Sequence, residues 1–107
     1  MPYYMTQASY TSAAWKAQAQ SPQDRSKVIS ELLEAVGGRM VSMYYAFGEY
    51  DLVLISEAPD NVTVASVLIA AAAGGAVGNI KTTPLMTAEE GREAITSAGQ
   101  VTYAPPQ

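Results

Sequence analysis

The spacing of apolar residues changes several times along the chain, and each change marks a new element. Val28, Ile29, Leu32, Leu33 and Val36 recur at three- and four-residue intervals, the period of one buried stripe on an amphipathic helix. Gly37-Gly38 ends that stripe, as glycine at a helix C-terminus does. Ser21-Pro22-Gln23-Asp24 reads as its start: a Ser cap, Pro in the first turn, and an acidic residue three after the Ser. The pattern then becomes aromatic and β-branched. Arg39–Phe47 and Tyr50–Ala58 flank Gly48-Glu49 and predict a β-hairpin with a tight turn. Counting by twos places Val41, Met43, Tyr45 and Phe47 on one face, and Met40, Ser42, Tyr44 and Ala46 on the other. Neither strand has a clean polar face, so both faces of the sheet are expected to be covered.

The rest of the chain falls into place around this centre. Tyr3–Thr11 predicts a first strand, and Ala-rich Ser12–Gln20, with Trp15 and Lys16, a short helix. Pro59-Asp60-Asn61 supplies a turn and a helix cap, Val62–Ala73 a second long helix, and Gly74-Gly75 its end. Val77–Met86 predicts a last strand, in which Pro84 favours an edge position or a bulge. Thr87-Ala88-Glu89-Glu90 starts a further helix reaching Ala98, and residues 99–107, with Pro105-Pro106, read as a flexible tail. The order is β-α-β-β-α-β within one domain spanning residues 1–98. This is the ferredoxin-like α+β pattern, a four-stranded antiparallel sheet with helices on one face. Nothing in the chain covers the other face, which predicts a second subunit there and hence a homodimer or higher oligomer.

Composition narrows the chemistry. Of 107 residues, 49% are hydrophobic and only 15% charged. That is apolar for a domain able to bury roughly 65% of its unfolded surface, and it again points to a partner chain. The net charge is −4, and six basic residues are scattered without a cluster, which argues against nucleic acid as a partner. The chain has no Cys and no His. Thiolate nucleophiles, disulfides, imidazole acid–base chemistry and metal sites built on those groups are thereby excluded. Met1–Thr6 has neither a basic region nor a long apolar core, and the apolar run Val62–Val77 is interrupted by Thr63, Ser66 and Gly74-Gly75. A soluble, cytoplasmic protein without a membrane partner is the expectation.

Gly48-Glu49-Tyr50-Asp51 resembles the signature of the GYD-domain family. The resemblance extends through Tyr10-Thr11, Ser21-Pro22, Gly37-Gly38-Arg39, Glu57-Ala58-Pro59-Asp60 and Gly78-Asn79-Ile80-Lys81-Thr82, covering roughly residues 2–95. The Ala-rich Ala70–Ala76 segment and the tail after Ala98 depart from it. The resemblance implies the dimeric α+β barrel superfamily and brings no established reaction or ligand. The same hairpin is similar to that of the effector domains of leucine-responsive-type bacterial regulators, where the loop lies near an intersubunit amino-acid site.

Candidate ligand-binding residues are Asp51, Tyr44, Tyr50 and Trp15. Asp51, at the start of a hairpin strand, either faces a ligand or receives turn N–H groups in the manner of an Asx turn. Seven tyrosines against one Phe suit interfaces and pocket rims, because a ring is buried while its hydroxyl seeks a partner. Tyr44 and Tyr45 point to opposite faces, so at most one lines a cavity under the helices. Trp15 either roofs a cleft over the sheet or plugs the core. Arg39 and Lys81 make an anion-recognising pair if the strands bring them together. Glu31, Glu34, Glu89, Glu90 and Glu93 read as solvated helix faces and first-turn acids. Gly74–Asn79 leads from a helix into a strand, the reverse of a phosphate-cradling loop. The leading expectation is a non-catalytic, homo-oligomeric protein that binds a small organic ligand without a cofactor or assembles through its sheet face. The alternative is a cofactor-independent monooxygenase- or isomerase-like enzyme acting on a small aromatic substrate, with Asp51, Tyr44 or Tyr50 as base or donor. A third reading is a purely structural oligomer.

Overall fold

The computed structural model describes residues 1–107. Its elements run β1 (Tyr3–Tyr10), α1 (Ser12–Gln20), α2 (Arg25–Ala35), β2 (Arg39–Tyr45), β3 (Leu52–Glu57), α3 (Asn61–Ala73), β4 (Val77–Leu85) and α4 (Ala88–Ala98). The four strands form one antiparallel sheet in the order β2-β3-β1-β4. This is the ferredoxin-like arrangement predicted from the sequence, and β4, which carries Pro84, is an edge strand as Pro requires.

Strand alternation sets the two faces. Tyr4, Thr6, Ala8 and Tyr10 of β1 are buried beneath the helices, as are Leu52, Leu54 and Ser56 of β3. Thr6 pairs with Leu54 and Ala8 with Leu52 across the central strands, so these side chains share that face. The Thr6 and Thr82 hydroxyls meet at 3.1 Å, satisfying polar groups that burial would otherwise penalise. The dense core is confined to one end, where Tyr4, Ala58 and Val64 meet and Leu68 packs against them. There the Tyr4 hydroxyl donates to Asn61 Oδ1 at 2.6 Å.

Three local expectations change. Asp24, not Ser21, caps α2 by accepting from the Ser26 N–H at 3.1 Å, while Ser21 closes α1. The three-residue spacing of Ser21 and Asp24 imitates a capping box, but a short Asx cap at Asp24 wins. In β2 the pairing register shifts between Met40 and Ser42. This bulge puts Met40 opposite Ser56 on the helix face, with Met43 and Tyr45, whereas strict period-two counting set Met40 against them. The hairpin also opens earlier than expected: residues 46–51 form a loop between β2 and β3 rather than a Gly-Glu tight turn. The Ala46 N–H donates to the Asp51 carbonyl at 2.8 Å to close it.

The predicted stop after α2 is built as expected. Gly37 adopts φ +83°, its N–H reaches the Glu34 carbonyl at 3.1 Å, and the Gly38 N–H reaches that of Leu33 at 2.8 Å. This pair of bonds satisfies carbonyls the helix end would leave open. A Cβ on Gly38 would lie 2.6 Å from the Glu57 carbonyl oxygen, so the turn can press against β3 only without a side chain.

The two main helices lie apart. α2 packs along β2 and α3 along β4, on opposite edges of the sheet. Asp60 caps α3 by accepting from the Thr63 N–H at 2.8 Å, and these bonds hold its carboxyl below the usual carboxylate range. α4 begins with a complete capping box between Thr87 and Glu90 but has no substantial packing against any other element. It projects from the packed unit, and the radius of gyration is 17.2 Å, against about 13 Å for a compact chain of this length. Gly99–Gln107 carries no helix or strand. No helix is long and apolar enough to cross a membrane.

Candidate functional site

Because α2 and α3 follow the outer strands, the ground between them, over β3 and β1, stays open. The floor of this cleft is Thr6, Ala8, Leu52, Leu54 and Ile80; α2 contributes Val28, Ile29 and Leu32 as one wall, and α3 contributes Val67, Leu68 and Ala71 as the other. Its volume is about 350 Å³, within the range of about 300–1,000 Å³ that small-molecule sites occupy. Small residues keep it hollow: Ala8 below, and Ala70, Ala71, Gly74 and Ala76 along one side. A second depression, about 450 Å³, lies on α4 among Glu89, Arg92, Glu93, Thr96 and Ser97. It has no apolar lining and is formed by side chains splayed on one exposed helix, so it lacks the features of a binding site.

The cleft is almost wholly apolar; apart from the Thr6 hydroxyl, which meets that of Thr82, its polar groups lie at one end. Tyr10, the last residue of β1, is 9% exposed, and its buried hydroxyl has no hydrogen-bond partner. Buried polar groups nearly always have one. Burial pushes this phenol above its ordinary range, and the neighbouring Tyr45 adds to the rise while the Arg25 guanidinium opposes it. Arg25 lines the same end of the cleft and makes no ion pair, the chain's sole salt bridge being Arg39–Glu57.

Two side chains hold Tyr10 in place. Trp15 meets its ring edge-on, with centroids 5.0 Å apart and planes at 68°, a favoured aromatic geometry. Asp51 holds its backbone: Oδ2 accepts from the Tyr10 N–H at 2.9 Å, and the Asp51 N–H donates to the Ala8 carbonyl at 2.9 Å. The carboxylate stands where a strand carbonyl would otherwise receive the Tyr10 N–H, prolonging the β1–β3 ladder past the end of β3. The register of β1 against β4 slips between Ala8 and Tyr10, so this anchor sits beside one of the sheet's two irregularities.

Comparison with known proteins agrees with this architecture. The GYD domain family matches residues 4–95. The chain belongs to the GYD-domain family. Among solved structures it is similar to the crystal structure of MtbAldR, with a TM-score of 0.55 and 15% sequence identity over 80% of this chain and 52% of that one. The chain thus spans about half the length of that protein, and at this identity the likeness is one of fold. No curated protein matches the sequence.

Within this GYD domain the expected site residues scatter. Tyr44 pairs with Val53 on the sheet face away from the helices and is 64% exposed. Tyr50 is half-buried in the hairpin loop, outside the cleft. Asp51 and Trp15 are brought together only through Tyr10, which both hold. None of the four lines the cleft. Arg39 and Lys81 lie on opposite edge strands, and Arg39 Nε donates to Glu57 Oε2 at 2.6 Å, which holds the Glu57 carboxyl below its usual range. The pair therefore does not form. Sequence reasoning missed Tyr10 and Arg25. Tyr10 had one available signal, its shared period with Tyr4, Thr6 and Ala8. Arg25 had another, a cation in the first turn of a helix, where the dipole disfavours positive charge.

The anchoring role of Asp51 has a direct test in urea unfolding. Asp51→Ala is expected to cost about 1.5–3 kcal/mol, the range for a hydrogen bond to a charged group. Asp51→Asn, whose Oδ1 still accepts, is expected to cost less than about 1 kcal/mol. Equal losses in both variants would contradict the anchor.

Proposed function

We propose that this GYD domain is a non-catalytic binding protein that holds a small, largely apolar organic molecule between its sheet and its two main helices, and works as a homodimer. The cleft carries this reading. The open cleft of about 350 Å³ leaves apolar wall residues such as Val28 and Leu32 facing water, and covering apolar surface is worth about 25 cal/mol per Å². An occupant between the apolar walls provides that cover.

The homodimer is supported by the face that the helices leave bare. Tyr3, Met5, Val53, Ile55 and Leu85 share it, and all five are only partly buried in the isolated chain. Gln7 and Thr83 share the face, and a largely apolar sheet face of this kind suits an interface, with the Arg39–Glu57 pair and Lys81 on its outer parts. The enzymatic alternative has less support. The Asp51 carboxylate is engaged by a backbone N–H, Tyr44 lies on the far face, and the one cleft phenol, Tyr10, is pushed away from deprotonation.

Filling the cleft tests the binding site. Ala71→Leu is expected to raise the stability of the ligand-free protein by about 0.5–2 kcal/mol and to abolish the binding of 1-octanol measured by calorimetry. Unchanged octanol binding would contradict the cleft as the site. Sedimentation equilibrium at micromolar concentration is expected to return the mass of two chains for the wild type and of one for Ile55→Glu. A wild-type monomer would sink the dimer.

A further inference from the structure

The polar end of the cleft specifies more than an apolar occupant. Two groups there lack partners. The Tyr10 hydroxyl is buried with no hydrogen bond, and it can act as donor or acceptor. Arg25 lies beside it, close enough for its guanidinium to act on the phenol, is partly buried and makes no ion pair. Arg25 also stands at the first position of α2, where the helix dipole disfavours a cation. It therefore stands at the unfavourable end of the helix dipole without an ion pair. No Asp or Glu lines the cleft.

From this we infer that the ligand is an apolar monocarboxylate, its hydrocarbon body between α2 and α3 and its carboxylate received by the Arg25 guanidinium and the Tyr10 hydroxyl. This inference rests on the cleft being the binding site. A guanidinium offers parallel N–H donors that match the two carboxylate oxygens, and charge-assisted bonds of this kind are about twice as strong as neutral ones. The phenol supplies a third donor to the same group, relieving its own unmet bond. The Asp51 and Trp15 contacts to Tyr10 then have a purpose in the site: they fix the backbone and ring from which the donor projects. The lining also selects against free amino acids. An α-ammonium next to the carboxylate would be buried near Arg25 without an anion to meet it, which is costly. The favoured ligand thus carries one negative charge and no positive one.

Titration followed by Trp15 fluorescence and calorimetry tests this with hexanoate, octanoate, decanoate and 3-phenylpropanoate, each against its matched alcohol, together with L-phenylalanine. In the wild type at least one acid is expected to bind about tenfold or more tightly than its alcohol, and L-phenylalanine about tenfold or more weakly than 3-phenylpropanoate. Arg25→Gln should erase the preference for acid over alcohol, and Tyr10→Phe should reduce it in part. Circular dichroism melting confirms that both variants fold. Acids and alcohols binding alike in the wild type would overturn the inference and leave the apolar cleft as the site. L-phenylalanine binding as well as 3-phenylpropanoate would also overturn it. Failure of every acid and every alcohol to bind would overturn both the inference and the proposed site.

Discussion

Two helices placed over the outer strands of a four-stranded sheet leave an unfilled middle. Neighbouring strands are about 4.8 Å apart, so the lines of β2 and β4 are separated by about 14 Å. Helices in direct contact sit about 8–10 Å apart. With α2 along β2 and α3 along β4, large side chains would have to bridge the difference. The chain instead places Ala8, Ala70, Ala71 and Gly74 around that space. The same placement accounts for the small core, which closes only at the Tyr4, Ala58 and Val64 end. It also explains why Val28 and Leu32, on the stripe that periodicity marks as buried, keep substantial exposure.

How Tyr10 is held links the fold to the site. The Asp51 carboxylate extends the central ladder by one side-chain bond, and Trp15 braces the ring from α1. The signature Gly48-Glu49-Tyr50-Asp51 is therefore read here as scaffolding for a neighbouring strand. Its acidic residue acts on the cleft at one remove, through the residue it positions.

What the sequence disclosed follows from the range of the forces involved. Elements set by local periodicity and caps were legible: the α2 stripe, the Gly37-Gly38 stop, the Asp60 cap and the edge placement of Pro84. Features decided by contacts between distant segments were not. The bulge beside Val41 depends on how β2 meets β3, and the hairpin loop is long because Asp51 is drawn to β1. Ser21 lost the cap of α2 to Asp24 because the helix starts only at Arg25, where the Asp24 carboxylate takes the Ser26 N–H. The cleft was the least legible feature, since an alanine on an apolar helix reads equally well as packing or as space. Tyr44 and Tyr50 drew notice as aromatics near the signature, whereas Tyr10 gains its importance from Arg25, which a separate helix delivers.

Native mass spectrometry of the protein purified gently from the cells that make it reads both the occupancy of the cleft and the partner on the open sheet face. A two-chain assembly carrying one small, reproducible extra mass per chain is expected, the extra mass being lost when the cleft is filled. A bare single chain would contradict it, leaving both the cleft and the open sheet face without an occupant.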